Sequence, residues 1–93
     1  MRRSKLERQF DILHTLSQEE SMNVTHIMHK TNINYVILTE YMDFLIKQEI
    51  VEKINTKSKK ITYKITDKGL TILRYFRKID IELSNRMDKT RQV

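Results

Sequence analysis

The chain has 93 residues, no cysteine, no proline, a single glycine and a net charge of +6. That length makes one domain with a modest core, and the absence of cysteine excludes disulfides, thiolate metal sites and thiol nucleophiles. No apolar run nears the roughly 18 residues of a membrane span, and the basic start, Met1 to Lys5, lacks the apolar stretch of a secretory leader. A cytoplasmic protein is the expectation.

In chain order, Ser4 and Glu7 fit the S-x-x-E pattern of a capping box, and Leu6, Phe10, Leu13 and Leu16 recur at helical spacing with Ile12 beside them. The spacing predicts a first helix ending near Leu16 and then a loop over residues 17–21. Asn23 can cap a short second helix ending near Lys30, with Val24, Ile27 and Met28 inward. Thr31, Asn32 and Ile33 read as a turn, with Ile33 plugging the core. A third helix runs from about Asn34 to Gln48. On a wheel of about 100° per residue, Leu38, Tyr41, Met42 and Leu45 share one side, widened by Ile37 and Phe44. The opposite side carries Val36, Glu40, Asp43 and Lys47.

Period-two alternation then predicts a hairpin: a strand over Ile50 to Ile54, a polar tip over Asn55 to Lys60, and a strand over Ile61 to Ile65. Ile61, Tyr63 and Ile65 should line its buried face. Thr66 caps a fourth helix of about 24 residues, roughly 36 Å long. Within it Ile72, Phe76, Ile79 and Leu83 follow the 4-3-4 spacing of a heptad seam, with Leu70, Leu73 and Met87 near it. That stripe outruns what one small domain can cover. A second copy of the same helix is the expected cover, and folding back onto the first helix is the alternative. Residues 89–93 read as a disordered tail.

Charge is not spread evenly. Residues 53–78 hold nine basic side chains against one acid, which gives +8, and the rest of the chain sums to −2. A clustered positive charge suits a polyanion such as double-stranded DNA. A helix, a basic hairpin and another helix give an α+β class: a winged helix-turn-helix of three helices plus a hairpin wing, with a long C-terminal dimerisation helix. The expected division is residues 1–68 for the winged helix and 69–93 for dimerisation, in one structural unit.

The stretch INYVILTEYMDFLIKQEIVEK, followed by ITYKITDKGLTIL, resembles the archaeal small winged-helix DNA-binding proteins, the chromatin-associated type first known from Sulfolobus. The matching residues are Asn32, Ile33, Tyr35, Tyr41, Leu45, Glu49, Ile50 and Val51, and then Thr66, Lys68 and Gly69 as the T-x-K-G that follows the wing. The resemblance implies an antiparallel coiled-coil homodimer and a nucleoid-associated DNA-binding role.

On the residues themselves, Lys57, Ser58, Lys59 and Lys60 at the tip are the strongest candidates for phosphate contact, with Lys53 and Lys64 extending the stripe along the strands. Asn32, Asn34 and Tyr35 surround the start of the third helix, where backbone N–H groups favour phosphate. Arg2, Arg3 and Lys5 form a basic arm. Ile72, Phe76, Ile79 and Leu83 are the candidate dimer interface. The third helix offers no outward Arg, Asn or Gln at Val36, Glu40, Asp43 or Lys47, so base readout should be weak. His26 and His29 stand three apart, but zinc needs at least a third ligand, and no cofactor or metal site is expected. No catalytic constellation stands out, so the chain is not expected to be an enzyme. A protein-interaction adaptor without DNA binding is the competing reading.

Overall fold

A computed structural model describes residues 4–91 of the chain, with side chains as far as Leu83. The elements run α1 (Lys5–Ser17), α2 (Val24–Thr31), α3 (Tyr35–Lys47), β1 (Val51–Asn55), β2 (Ile61–Ile65) and α4 (Asp67–Arg91). The first three helices start on a local hydrogen bond that an oxygen side chain supplies. Ser4 Oγ accepts from the Glu7 N–H at 3.1 Å, Asn23 Oδ1 from the His26 N–H at 2.8 Å, and Asn34 Oδ1 from the Ile37 N–H at 3.0 Å. The capping box at α1 is only half formed, because the Ser4 hydroxyl itself donates to Glu7 Oε1 at 3.2 Å.

Two helix ends, those of α2 and α3, use left-handed residues. Asn32 closes α2 at φ 57, and its N–H donates to the Met28 carbonyl. Asn tolerates that conformation better than most residues. At the end of α3, Glu49 sits at φ 61. Its N–H donates to Ile46 O at 3.0 Å and the Ile50 N–H to Leu45 O at 2.9 Å, the paired bonds of a Schellman motif.

This turn moves the first strand. Ile50, expected as its first residue, belongs to the helix stop, and Val51 begins β1 opposite Ile65. The register continues Glu52 to Lys64, Lys53 to Tyr63, Ile54 to Thr62 and Asn55 to Ile61. Opposed residues share a face, so Val51 and Ile65 point into the core and Ile54 lies on the other face. A third partner was not legible: Met22, between α1 and α2, bridges Tyr63 through N–H···O bonds of 2.9 and 2.7 Å. The sheet thereby ties the α1–α2 loop to the wing.

The core collects Ile12, Leu13 and Leu16 from α1, Ile27 from α2, Leu38, Met42 and Leu45 from α3, Val51 and Ile65 from the hairpin and Leu73 from α4. Ile33 is buried in the turn, as expected. Three residues expected inward are not. Phe44 is 48% exposed, Ile61 42% and Leu6 56%. Phe44 lies at the edge of the apolar arc, Ile61 lies where the hairpin leaves the helices behind, and Leu6 lies at the free end of α1. The expected disordered tail is corrected over 89–91, where α4 continues to Arg91. Residues 92–93, like Met1 to Arg3 and the Met87 side chain, lie outside what is described.

Gly69 sits where α4 closes against Ile50 and Ile65. A Cβ there would stand 2.6 Å from Ile65 Cγ1 and nearer still to the Ile50 carbonyl oxygen. Gly69→Ala is therefore expected to destabilise the fold by about 1–3 kcal/mol, the usual cost of overpacking. A chemical denaturation curve checks this, and an unmoved midpoint would show that α4 can simply slide away.

Candidate nucleic-acid interface

The wing is built, rather than slack. Thr56 organises its tip: its N–H donates to Lys60 O at 3.0 Å, its carbonyl accepts from the Lys59 N–H at 3.0 Å, and its hydroxyl meets Lys60 O and Ser58 Oγ, both at 3.1 Å. The polar tip is thus a hydrogen-bonded turn. Lys57, Ser58, Lys59 and Lys60 are all exposed on it. Lys59 adopts φ 62, a conformation that costs an L-residue roughly 1–2 kcal/mol and suits glycine. A lysine is held where the backbone alone favours glycine.

Lys53 and Lys64 are exposed too, but on opposite faces of the hairpin. Lys53 shares a face with Tyr63, and Lys64 lies directly opposite Glu52. An acid across the ladder offsets part of the Lys64 charge. Tyr63 is half-buried, and burial pushes its phenol above the usual value of 10.0, with Tyr35 and Asp43 adding to the shift. The phenol therefore stays neutral at ordinary pH.

Asn32 and Asn34 both carry structural work. Asn32 ends α2, and Asn34 spends its side-chain carbonyl on the Ile37 N–H. Tyr35 is 56% exposed and reaches outward. Val36, Glu40, Asp43 and Lys47 are exposed, as the wheel placed them, and Phe44 joins them at the margin.

On the far side, α4 crosses α1. Phe10 meets Phe76 edge-on with centroids 6.5 Å apart, His14 stacks on Phe10 at 6.1 Å, and Arg77 Nη2 lies 2.6 Å from His14 Nδ1. Arginine can only donate, so Nδ1 accepts. Ile72 and Leu73 pack on the core of their own chain, and Phe76 is half-buried. Ile79 and Leu83 remain exposed at 41% and 54%. They line an open groove of about 350 Å³ with Leu6, Phe10 and Phe76, rimmed by Glu7, Asp11 and Asp80. The two expectations for α4 thus divide along its length: the first half folds onto its own chain and the second leaves an apolar stripe bare. That α1 supplies one wall of the groove through Leu6 and Phe10 agrees with the alternative in which the fourth helix folds back onto the first.

Among the described residues no three histidine, cysteine or acidic side chains gather as a metal would need. His26 Nδ1 faces Glu19 at 3.4 Å instead. No described helix is long and apolar enough to cross a membrane.

A helical core closed by a two-stranded hairpin, with α3 and the wing on one side, defines a winged helix-turn-helix. The chain belongs to the winged helix-turn-helix family, whose model matches residues 2–84. Among solved structures it is similar to Sso10a-2, a DNA-binding protein from Sulfolobus solfataricus, with 28% identity, 97% of this chain and 95% of that one covered, and a TM-score of 0.73. The archaeal winged-helix type read from the sequence is thereby supported. Two further likenesses show the fold alone. The transcriptional regulator BldR from Sulfolobus solfataricus is 22% identical, over 87% of this chain and 59% of that one, with a TM-score of 0.77. The PcaV transcriptional regulator from Streptomyces coelicolor is 17% identical, over 86% and 60%, with a TM-score of 0.75. This chain spans about three-fifths of those two proteins. No curated protein matches it. Family and neighbours point to a binding protein and not an enzyme.

Proposed function

We propose that the protein is a homodimer that binds duplex DNA as a transcriptional regulator or chromatin-associated protein of the nucleoid. Its wing and the start of α3 grip the backbone, and α4, within residues 69–93, joins two copies. The observation that carries this reading is the wing: four exposed residues, three of them lysines, on a tip that Thr56 holds in shape, with Lys59 kept at positive φ. Likeness to a DNA-binding protein at 28% identity over nearly the whole chain supports it.

Affinity comes mainly from phosphate contact and duplex shape. The outward residues of α3 include no Arg, Asn or Gln, and Glu40 and Asp43 among them are acidic, so the preference for a specific site should stay below about 10³ over random DNA. Glu40→Gln, which removes a charge that repels phosphate, is expected to tighten binding to all sequences and to select no new one. Titrating random and genomic duplexes over a range of salt measures both. A genomic site preferred far beyond that ratio, and lost in Glu40→Gln, would make α3 a true reading helix with Glu40 accepting from a cytosine amino group. If no salt-dependent DNA binding is found, the adaptor reading takes over. The bare Val36 and Phe44, 65% and 48% exposed, would then be its contact surface.

A further inference from the structure

The first turn of α4 is fastened to the last turn of α3 with unusual density. Thr66 Oγ1 lies 2.7 Å from Glu49 O and 2.9 Å from Ile50 O, and it accepts from the Gly69 N–H at 3.0 Å. The Thr66 N–H donates to Ile50 O at 3.1 Å. Lys68 Nζ donates to Gln48 O at 2.8 Å, placing a cation on the negative end of α3. Three successive carbonyls of the α3 stop, at 48, 49 and 50, are thus held by two side chains of α4's opening. Gly69 lets the backbones close, since any Cβ would strike Ile50 and Ile65. The joint also holds Glu49 in a conformation that glycine would favour.

Leu73 is buried in the core with Leu70 and Ile72 packed beside it, and only past that point is the attachment of α4 compliant. Against α1 it has one aromatic edge contact, one exposed Arg77–His14 hydrogen bond and an open groove. A helix held stiffly through its first two turns and softly beyond them turns about the stiff end, and whatever is welded there turns with it.

We propose that Thr66, Lys68 and Gly69 are positioning residues that weld α3 and α4 into one lever, so that the lie of α4 sets the angle at which α3 is presented. The inference concerns a single chain, and it gains a consequence from the reading above: a partner or ligand that shifts α4 re-aims α3 toward DNA. Equilibrium coupling of this kind runs both ways, so an occupied α3 biases α4 equally.

The test uses the full chain and amide chemical shifts, which require neither DNA nor a dimer. Phe76→Ala loosens α4 from α1, roughly 15 Å along the helix from Thr66. In the native background it is expected to shift α3 amides from Tyr35 to Asp43 as well as those beside Phe10. In Thr66→Val, which keeps the shape and loses the hydroxyl, the α3 shifts are expected to vanish while those beside Phe10 remain. Thr66→Ser is expected to restore them. If Thr66→Val does not fold, Lys68→Ala, an exposed change, serves with a partial loss. Unmoved α3 amides in Phe76→Ala, or identical α3 shifts in native and Thr66→Val backgrounds, would overturn the lever. A parallel DNA titration of the same four chains should give Phe76→Ala an effect of roughly fivefold that shrinks below about twofold in Thr66→Val, a non-additivity within the range seen for coupled sites. If no chain binds DNA, the functional reading fails, while the shifts still decide the lever.

Discussion

Changing Lys57, Lys59 and Lys60 together to Ala is expected to weaken binding to every duplex by about the same factor. Each lysine that neutralises a phosphate releases condensed counterion, and each such contact contributes about 0.9 to the slope of log affinity against log salt. Three lost contacts should flatten that slope by roughly 2–3 per wing. Raising salt fourfold, from about 50 to 200 mM, should then narrow the gap between native and altered chains by roughly 40-fold per wing, because the native chain loses its advantage fastest. Lys59 offers an internal control. Lys59→Gly relieves the positive φ and is expected to raise fold stability by about 1 kcal/mol while weakening DNA binding. Opposite signs from one substitution would separate a residue held for its charge from one held for its backbone. Full affinity with an unaltered slope in the triple variant would reduce the wing to a solvated loop.

The parts of this fold that read directly from sequence are those with local causes. Ser4, Asn23 and Asn34 cap helices through bonds spanning three residues, and such spacing is written in the chain. The hairpin alternation and the core faces of α1 and α3 are local in the same sense. Features settled by tertiary contact did not read. Val51 rather than Ile50 opens β1 because the α3 stop consumes Ile50, and a Schellman turn without glycine leaves no familiar mark. The Met22–Tyr63 bridge joins residues 41 apart through backbone atoms, which carry no sequence signal. Phe44 is apolar enough for the core and sits just too far round the helix to enter it. The lysines of the candidate site were legible, since charge at a hairpin tip has nowhere to hide. The sequence reading also tied Thr66, Lys68 and Gly69 to a motif that follows the wing, and the reason for those residue types is the α3–α4 joint.

Replacing Ile79 and Leu83 together by Lys is expected to convert the protein to monomers in sedimentation. The physical case lies in what α4 leaves uncovered. A helix of 25 residues reaches beyond the other elements and draws the chain out to 59 Å against 28 and 21 Å in the other directions. Its inner half is spent on its own core through Ile72 and Leu73. Ile79 and Leu83 stay bare beside Leu6, and together they form an apolar strip that water meets at about 25 cal/mol per Å². A second copy would cover it in the simplest way, because a two-fold axis pairs the same patch with itself. Lysines there would place four ammonium groups in one closed seam, and an unpaired buried charge costs several kcal/mol each. Leu6→Lys, on the wall that α1 contributes, should weaken association less, since that residue flanks the strip. Monomers should also lose the effective concentration that links two wings on one duplex, worth 10²–10⁴ in overall affinity. An unchanged sedimentation coefficient in the double variant would remove α4 from the interface and leave the groove between α1 and α4 to some other occupant.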